Sequence, residues 1–275
     1  MGIVTPRNGI FSMSQNNAFY TQGKNVFHSS ENTRGPWSPE HQHAGPPAAL
    51  LARAIERSLP TDAPMHISRI TYEILRPVPI ATLRLETRAI HTGRTLQVIE
   101  GRLNNDAGKP LILARAVAVR INEMQLAPIA DPFEPPPPPE QSTPFEFDFF
   151  SEAVGYQTAM ELRHARGKRG GGHIAMWMRM RMPLVAGEAP TPLQRVAIAA
   201  DSGNGISATL DPMHHTFVNP DLSVYLHRSP VGEWVCLEAQ TITQNLGVGL
   251  ADTRLYDAHG PIGRSDQSLI IQARK

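Results

Sequence analysis

One acidic residue stands where an apolar stretch ends, and its side chain could carry out acid–base chemistry. Asp201 follows the apolar residues 196–200 and precedes Ser202-Gly203. A carboxylate can accept a proton from water, and partial burial would raise its pKa and make it a better base. Asp201 is therefore a candidate base for a hydrolytic reaction. Short polar residues also end helices, so a purely helix-terminating role stays open.

A second group of candidates lies at 43–48, His-Ala-Gly-Pro-Pro-Ala, directly before an apolar stretch. Backbone amides in the first turn of a helix point outward and can stabilise a developing oxyanion. Because the two prolines lack an N–H group, the remaining donors are Gly45 and Ala48. We predict that these two residues and His43 bind substrate. His43 could also act as a general acid or cap a turn.

The elements that must position these residues recur along the chain. Residues 45–60 predict a helix with both prolines in its first turn. Alternating apolar and polar residues then predict strands at His66–Leu75, Thr82–Thr92, Thr95–Asn104 and Pro110–Ile121. A helix followed by an antiparallel meander is expected.

The same order returns later in the chain. Residues 191–205 predict a short apolar helix that ends at Gly203 and Gly205. The predicted strands around it are Ala159–Arg166, His173–Met182, Leu222–His227, Glu233–Thr243, Val248–Tyr256 and Ile262–Gln272. Between the two sets, residues 127–144 contain the run Pro135–Pro139 and predict a linker. We therefore expect halves at 1–126 and 145–275.

The spacing of matched residues favours a duplication over two unrelated meanders with similar turns. When the first half is aligned with the second, Arg76 falls on Arg228, Glu86 on Glu238 and, after a shift of one residue, Pro110 on Pro261. In this register Gln267 corresponds to Ala116, so only one half has a polar residue there. A solvent-facing Gln267 is the alternative. Because a single half would leave a long sheet edge exposed, we expect edge-to-edge pairing, with a ligand groove between the halves.

Composition excludes several classes of protein. Lys and Arg total 26 against 25 for Asp and Glu, so no net field attracts nucleic acid. No apolar run could span a membrane and residues 1–17 lack the apolar core of a signal peptide, so a cytoplasmic protein is expected. The single Cys236 excludes an internal disulfide and a thiolate metal cluster. The sequence lacks the nucleophile motif of serine hydrolases, the phosphate-binding Walker motif and the zinc-binding motif of metalloproteases. We expect no cofactor.

Five segments together resemble the acyl-CoA thioesterase II-like family. They are His43-Ala44-Gly45-Pro46-Pro47, Tyr72-Glu73-Ile74-Leu75-Arg76-Pro77, Ala200-Asp201-Ser202-Gly203-Asn204, Asp221 to Arg228, and Gly260 to Gln267. The resemblance spans most of residues 30–272. It implies an α+β double hotdog fold, in which two fused halves each have a helix wrapped by a curved antiparallel sheet.

The resemblance also implies an activity, the hydrolysis of a fatty acyl-CoA to free acid and CoA. In that family an Asp, a Thr or Ser, and a Gln orient the attacking water. Asp201 and Gln267 match two of these positions, and Asn219 stands where the hydroxyl residue would be. An amide can hold water but differs from a hydroxyl in reach. The implied partner is the acyl-CoA substrate, and a homodimer through the remaining sheet edges stays open.

Two other functions are alternatives to hydrolysis. A catalytically weak relative could bind an acyl-CoA or another apolar ligand in the same groove. A hotdog-fold hydratase would need a paired Asp and His, and the sequence shows no such pair near Asp201. The basic residues between Arg163 and Arg169 could contact CoA phosphates or form a solvated hairpin tip.

Overall fold

The computed structural model describes residues 17–127, 133–147, 150, 152–211 and 213–274. The expectation about a signal peptide therefore falls mainly on residues outside the described part of the chain, as do residues 128–132 of the predicted linker.

The described residues form four α-helices: α1 (Gly45–Ser58), α2 (Tyr156–Ala159), α3 (Pro192–Ala200) and α4 (Gly203–Ser207). Prolines occupy the first turn of both α1 and α3, where a missing N–H costs little. Thr191 caps α3 by accepting a hydrogen bond from the Gln194 N–H at 3.3 Å. The prediction of one helix over 191–205 is wrong, because the chain turns after Ala200 and Gly203 begins α4 instead of ending α3.

The part of the chain that the structure describes also contains fourteen strands. They are β1 (Tyr20–Gln22), β2 (Phe27–Ser29), β3 (Met65–Ile74), β4 (Thr82–Thr92), β5 (Leu96–Asn105), β6 (Pro110–Arg120), β7 (Thr143–Phe145), β8 (Met160–Lys168), β9 (His173–Met180), β10 (His215–Val218), β11 (Asp221–Leu226), β12 (Val235–Gln244), β13 (Val248–Asp257) and β14 (Gly260–Ala273). The ten predicted strands agree with these within two residues at each end. The short strands β1, β2, β7 and β10 were not predicted.

All of these strands form one sheet, in the order β1-β2-β4-β5-β6-β3-β11-β14-β13-β12-β9-β8-β7, with β10 paired to β14. The two meanders meet where β3 runs antiparallel to β11, with Glu73 opposite Asp221 and Arg69 opposite Tyr225. Each half thereby covers an edge of the other, as expected.

The strand registers support the duplication in detail. Equivalent cross-strand pairs are Glu86 with Arg102 and Glu238 with Arg254, and likewise Ile99 with Ala116 and Ala251 with Gln267. The ladders β5–β6 and β13–β14 also share an irregularity at the same place, after Leu103 and after Leu255. Ala116 and Gln267 therefore occupy equivalent positions, as the sequence register predicts.

Helices α1 and α3 pack against each other and against the apolar face of the sheet, where Leu51, Ile55 and Val196 are fully buried. On the other face, Trp177, Cys236 and Tyr256 form a smaller cluster. Part of the predicted linker lies near this cluster, since Trp177 donates a hydrogen bond to the Pro137 carbonyl at 2.7 Å. The last residues of the predicted linker belong to β7, which pairs with β8. Among the helices that the structure describes, none is long and apolar enough to cross a membrane.

Candidate active site

The carboxylate of Asp201 lies at the centre of a buried polar cluster. Asp201 directly follows the last residue of α3 and is 8% exposed. Its Oδ1 accepts hydrogen bonds from Asn219 Nδ2 at 2.8 Å and from Gln267 Nε2 at 3.2 Å. The structure thus brings together the three residues predicted to be catalytic. Asp201 also ends a helix, so its structural role and its place in the site coexist.

His43 completes this cluster from the other half of the chain. Its Nδ1 lies 2.9 Å from Asp201 Oδ2. The His43 ring stacks on Tyr156 at 3.9 Å and 5° between planes. The Tyr156 hydroxyl is itself held by the Ile198 carbonyl and by Ser202, both at 2.9 Å. The expectation that no histidine pairs with Asp201 is wrong, because packing joins segments that are distant in sequence.

The start of α1 is pressed against the end of α3. A Cβ atom on Gly45 would lie 2.4 Å from the Ile198 carbonyl oxygen, so only glycine fits. The Gly45 N–H lies 3.1 Å from His43 Nδ1 and also hydrogen-bonds the Asp201 carboxylate. The Ala48 N–H donates to the Ala44 carbonyl at 3.0 Å. Both amides predicted to bind substrate are therefore engaged within the protein, and neither residue lines the cavity described below.

The pKa of Asp201 is lowered. Burial alone would raise it, but the positive charge that His43 carries when protonated and the hydrogen bonds from His43, Asn219 and Gly45 outweigh the burial. The predicted rise in this pKa is thus wrong, since it considered desolvation without these donors. Asp201 stays ionised and is a weak base.

Gln267 is a buried component of the cluster, only 2% exposed, so the solvent-facing alternative is wrong. It lies on β14, and its Nε2 also donates to the Asp201 backbone carbonyl at 3.1 Å. Its Oε1 accepts from the Asn204 N–H at 3.2 Å, at the start of α4. Gln267 therefore fixes the turn between α3 and α4 as well as the carboxylate.

A cavity of about 1020 Å³ opens on this cluster and is lined by residues of both halves. Its polar end includes His43, Asp201, Asn219 and Gln267. The rest is largely apolar, with contributions from Trp37, Ile74, Leu75, Phe147, Phe150, Ile206, Leu210, Phe217, Val218 and Ile270. This is the groove between halves that the sequence predicts.

The sequence patterns did not identify several of the residues that line the cavity. Gly35, Pro36 and Trp37 are not among the predicted site residues, yet they form part of the wall, and Trp37 is half exposed. Phe147 and Phe150 follow the proline-rich segment and join the same wall. The exposed aromatic next to Gly-Pro was the available signal, because a large apolar side chain on a loop often marks a binding surface.

Positive charge is also present on the cavity wall, from Arg76 and Arg169. Arg169 also lies over the Phe145 ring at 5.8 Å, and within the same basic stretch Arg163 pairs with Glu161 at 3.1 Å and Arg166 with Glu238 at 2.5 Å. Of that stretch only Arg169, with the neighbouring Gly170, reaches the cavity. Within the described residues, no group of three or more His, Cys, Asp and Glu side chains could hold a metal ion.

The fold and the site define a class, a double hotdog protein with one polar site between its halves. Residues 33–121 match the family described as the acyl-CoA thioesterase N-terminal domain, and residues 129–271 match its C-terminal domain. The chain belongs to this acyl-CoA thioesterase family, which confirms the resemblance found in the sequence.

Solved structures show the same fold at low sequence identity. A conserved hot dog fold protein of unknown function from Alicyclobacillus acidocaldarius is 16% identical with a TM-score of 0.73, covering 94% of this chain and 98% of that one. An acyl-CoA thioesterase II from Mycobacterium marinum is 14% identical with a TM-score of 0.67, covering 93% and 96%. The tesB protein of Mycobacterium avium subspecies paratuberculosis is 18% identical with a TM-score of 0.64, covering 92% and 95%. A search of curated proteins finds no match.

Proposed function

We propose that this protein hydrolyses a fatty acyl-CoA thioester to the free acid and CoA by direct attack of water. One observation carries the proposal: the cluster of His43, Asp201, Asn219 and Gln267 closes one end of a largely apolar cavity of about 1020 Å³ that lies between the halves. Thioester hydrolysis needs both parts, a polar group for the water and an apolar space for the acyl chain.

The proposed roles follow from position. Asn219 donates a hydrogen bond from one N–H to Asp201. Its side-chain oxygen accepts no hydrogen bond from the described residues, so that oxygen is available to hold the attacking water. Gln267 and Asp201 keep the cluster in one arrangement. Arg76 and Arg169 on the cavity wall suit the phosphates of CoA through charge-assisted hydrogen bonds.

A second candidate function, an acyl-CoA or apolar-ligand binder, is favoured by a separate observation. The pKa of Asp201 is lowered, and the carboxylate already accepts four hydrogen bonds from the protein. Such a carboxylate is a poor base toward water. A binder would use the same cavity without turnover.

The test measures release of free CoA from acyl-CoAs of increasing chain length, with wild type, Asp201→Ala and the exposed-turn control Asp106→Ala. We expect turnover by wild type and by the control, and loss in Asp201→Ala. Wild-type turnover no greater than that of Asp201→Ala on every chain length would refute hydrolysis. Calorimetric binding of a non-hydrolysable thioether analogue would then identify a binder. Because His43 pairs with Asp201, hydration of an enoyl-CoA is followed in parallel, and hydration without CoA release would indicate a hydratase.

A further inference from the structure

The acceptor positions of the Asp201 carboxylate are filled by protein donors. Asn219 and Gln267 donate to Oδ1, His43 Nδ1 lies 2.9 Å from Oδ2, and the Gly45 N–H adds a fourth bond. An ionised carboxylate offers about four lone-pair positions. A water molecule could bind Asp201 only by displacing one of these donors, so Asp201 is not the group that contacts the reacting water.

His43 has the opposite arrangement. The polar contacts of its side chain with the described residues all involve Nδ1, while His43 lines the cavity and its side chain remains 15% exposed. Because an ionised carboxylate only accepts hydrogen bonds, the proton between Nδ1 and Asp201 Oδ2 belongs to Nδ1, and the Gly45 N–H, 3.1 Å from Nδ1, bonds the carboxylate instead. In neutral His43 with this tautomer, Nε2 carries the free lone pair. The nitrogen that is not bound to Asp201 is therefore the available base in this cluster.

The ring is also held in one orientation. The bond to Asp201 fixes Nδ1, and the parallel stack on Tyr156 at 3.9 Å prevents the ring from tilting. Tyr156 is fully buried and tied to Ile198 and Ser202, so the platform itself is rigid. A base held in this way loses little entropy when the reaction begins.

We infer that His43 Nε2 is the general base of the proposed hydrolysis and that Asp201 is a positioning residue acting through it; this inference rests on the proposed function. As the water oxygen bonds to the thioester carbon, one water proton moves to Nε2. The tetrahedral intermediate then collapses, the carbon–sulfur bond breaks, and Nε2 returns that proton to the CoA sulfur. The products are the carboxylic acid, which retains the second water proton, and free CoA.

The experiment compares His43→Gln, His43→Ala and the control His28→Ala, which removes an exposed histidine of β2. Gln can still hydrogen-bond Asp201 but has no basic nitrogen. We expect His43→Gln to have the same melting temperature as wild type. Its kcat should fall about 10²–10⁴-fold, the usual contribution of a general base. Added imidazole should restore turnover to His43→Ala, which leaves a ring-sized space beside Tyr156, and should not affect His28→Ala.

Several results would overturn the inference. Turnover of His43→Gln within about twofold of wild type would show that no base acts there. A loss in His43→Ala that imidazole does not restore would indicate a structural role. These outcomes are separate from failure of the proposed function, because a wild type that releases no CoA from any acyl-CoA refutes both.

Discussion

Replacing Gly45 with alanine tests how closely the two halves must approach for the site to form. The added Cβ would lie 2.4 Å from the Ile198 carbonyl oxygen, about 1 Å inside van der Waals contact. The carbonyl oxygen is a backbone atom and the position of the Cβ is set by the backbone, so no side-chain rotation can relieve the contact. Helix α1 must move away from α3 by about that distance.

The displacement should affect stability and activity together. Overpacking of this kind costs about 1–3 kcal/mol, which for a chain of this size lowers the melting temperature by about 2–12 °C. The same shift separates His43 and the Gly45 N–H from Asp201, and a misplacement of about 1 Å in an active site can cost 10²-fold in rate. We expect a folded protein with kcat/KM reduced by about that factor.

The assay pairs thermal unfolding with CoA release, using Gly205→Ala as the stability control. A Cβ on Gly205 in α4 would meet no atom within 4 Å, and alanine favours a helix over glycine by about 0.5–1 kcal/mol. Gly205→Ala should therefore match or exceed wild-type stability. If Gly45→Ala melts within about 1 °C of wild type and keeps full turnover, then α1 and α3 do not pack closely enough at Gly45 to exclude a Cβ atom, and the site does not depend on that contact.

Three further predictions concern single side chains. Asn219→Ala removes the 2.8 Å bond to Asp201 and the proposed water acceptor, and we expect kcat/KM for acyl-CoA to fall about tenfold or more with little change in melting temperature; unchanged kinetics would contradict the role of Asn219. Asp257 is fully buried against Arg228, and although burial would raise its pKa, Arg228 and two backbone N–H groups lower it. Asp257→Asn should cost about 3 kcal/mol at neutral pH, because one partner of a buried pair is lost while Arg228 stays partly exposed. Since the folded pKa is depressed, this contribution is present above the unfolded value of about 3.9 and lost as pH falls through the folded value; denaturant unfolding at several pH values checks it, and a pH-independent difference would refute it. Burial raises the pKa of Glu56, which accepts a hydrogen bond from Thr191 at 2.6 Å. The folded state therefore favours the protonated form of Glu56, and Glu56→Gln should gain stability relative to wild type as pH rises above about 4.3. A stability difference between the two proteins that stays constant across that range would contradict this prediction.

Local features of the sequence were enough to predict most of the scaffold. Alternating residues placed ten strands within two residues of their observed ends, and prolines in the first turn located the start of α1. The shared spacing of the two meanders even identified Ala116 as the equivalent of Gln267. These features are local because strand periodicity and turn residues act over a few positions.

The site depended on contacts that no local pattern encodes. Helices α1 and α3 lie antiparallel, with Gly45 against Ile198 at one end and Glu56 against Thr191 at the other. The two ends are related by the duplication but differ in chemistry, since only one of them combines a carboxylate with His43. The sequence contained both carboxylates without showing which of them would meet a histidine.

The sequence by itself therefore determined the repeated meanders, the candidate residues Asp201, Asn219 and Gln267, and the family. Tertiary structure alone decided that His43 joins Asp201, that the pKa of Asp201 falls instead of rising, and that Trp37 helps to wall the cavity. The reason is physical: a pKa and a pairing depend on which donors surround a buried group, and packing between the halves brings those donors there.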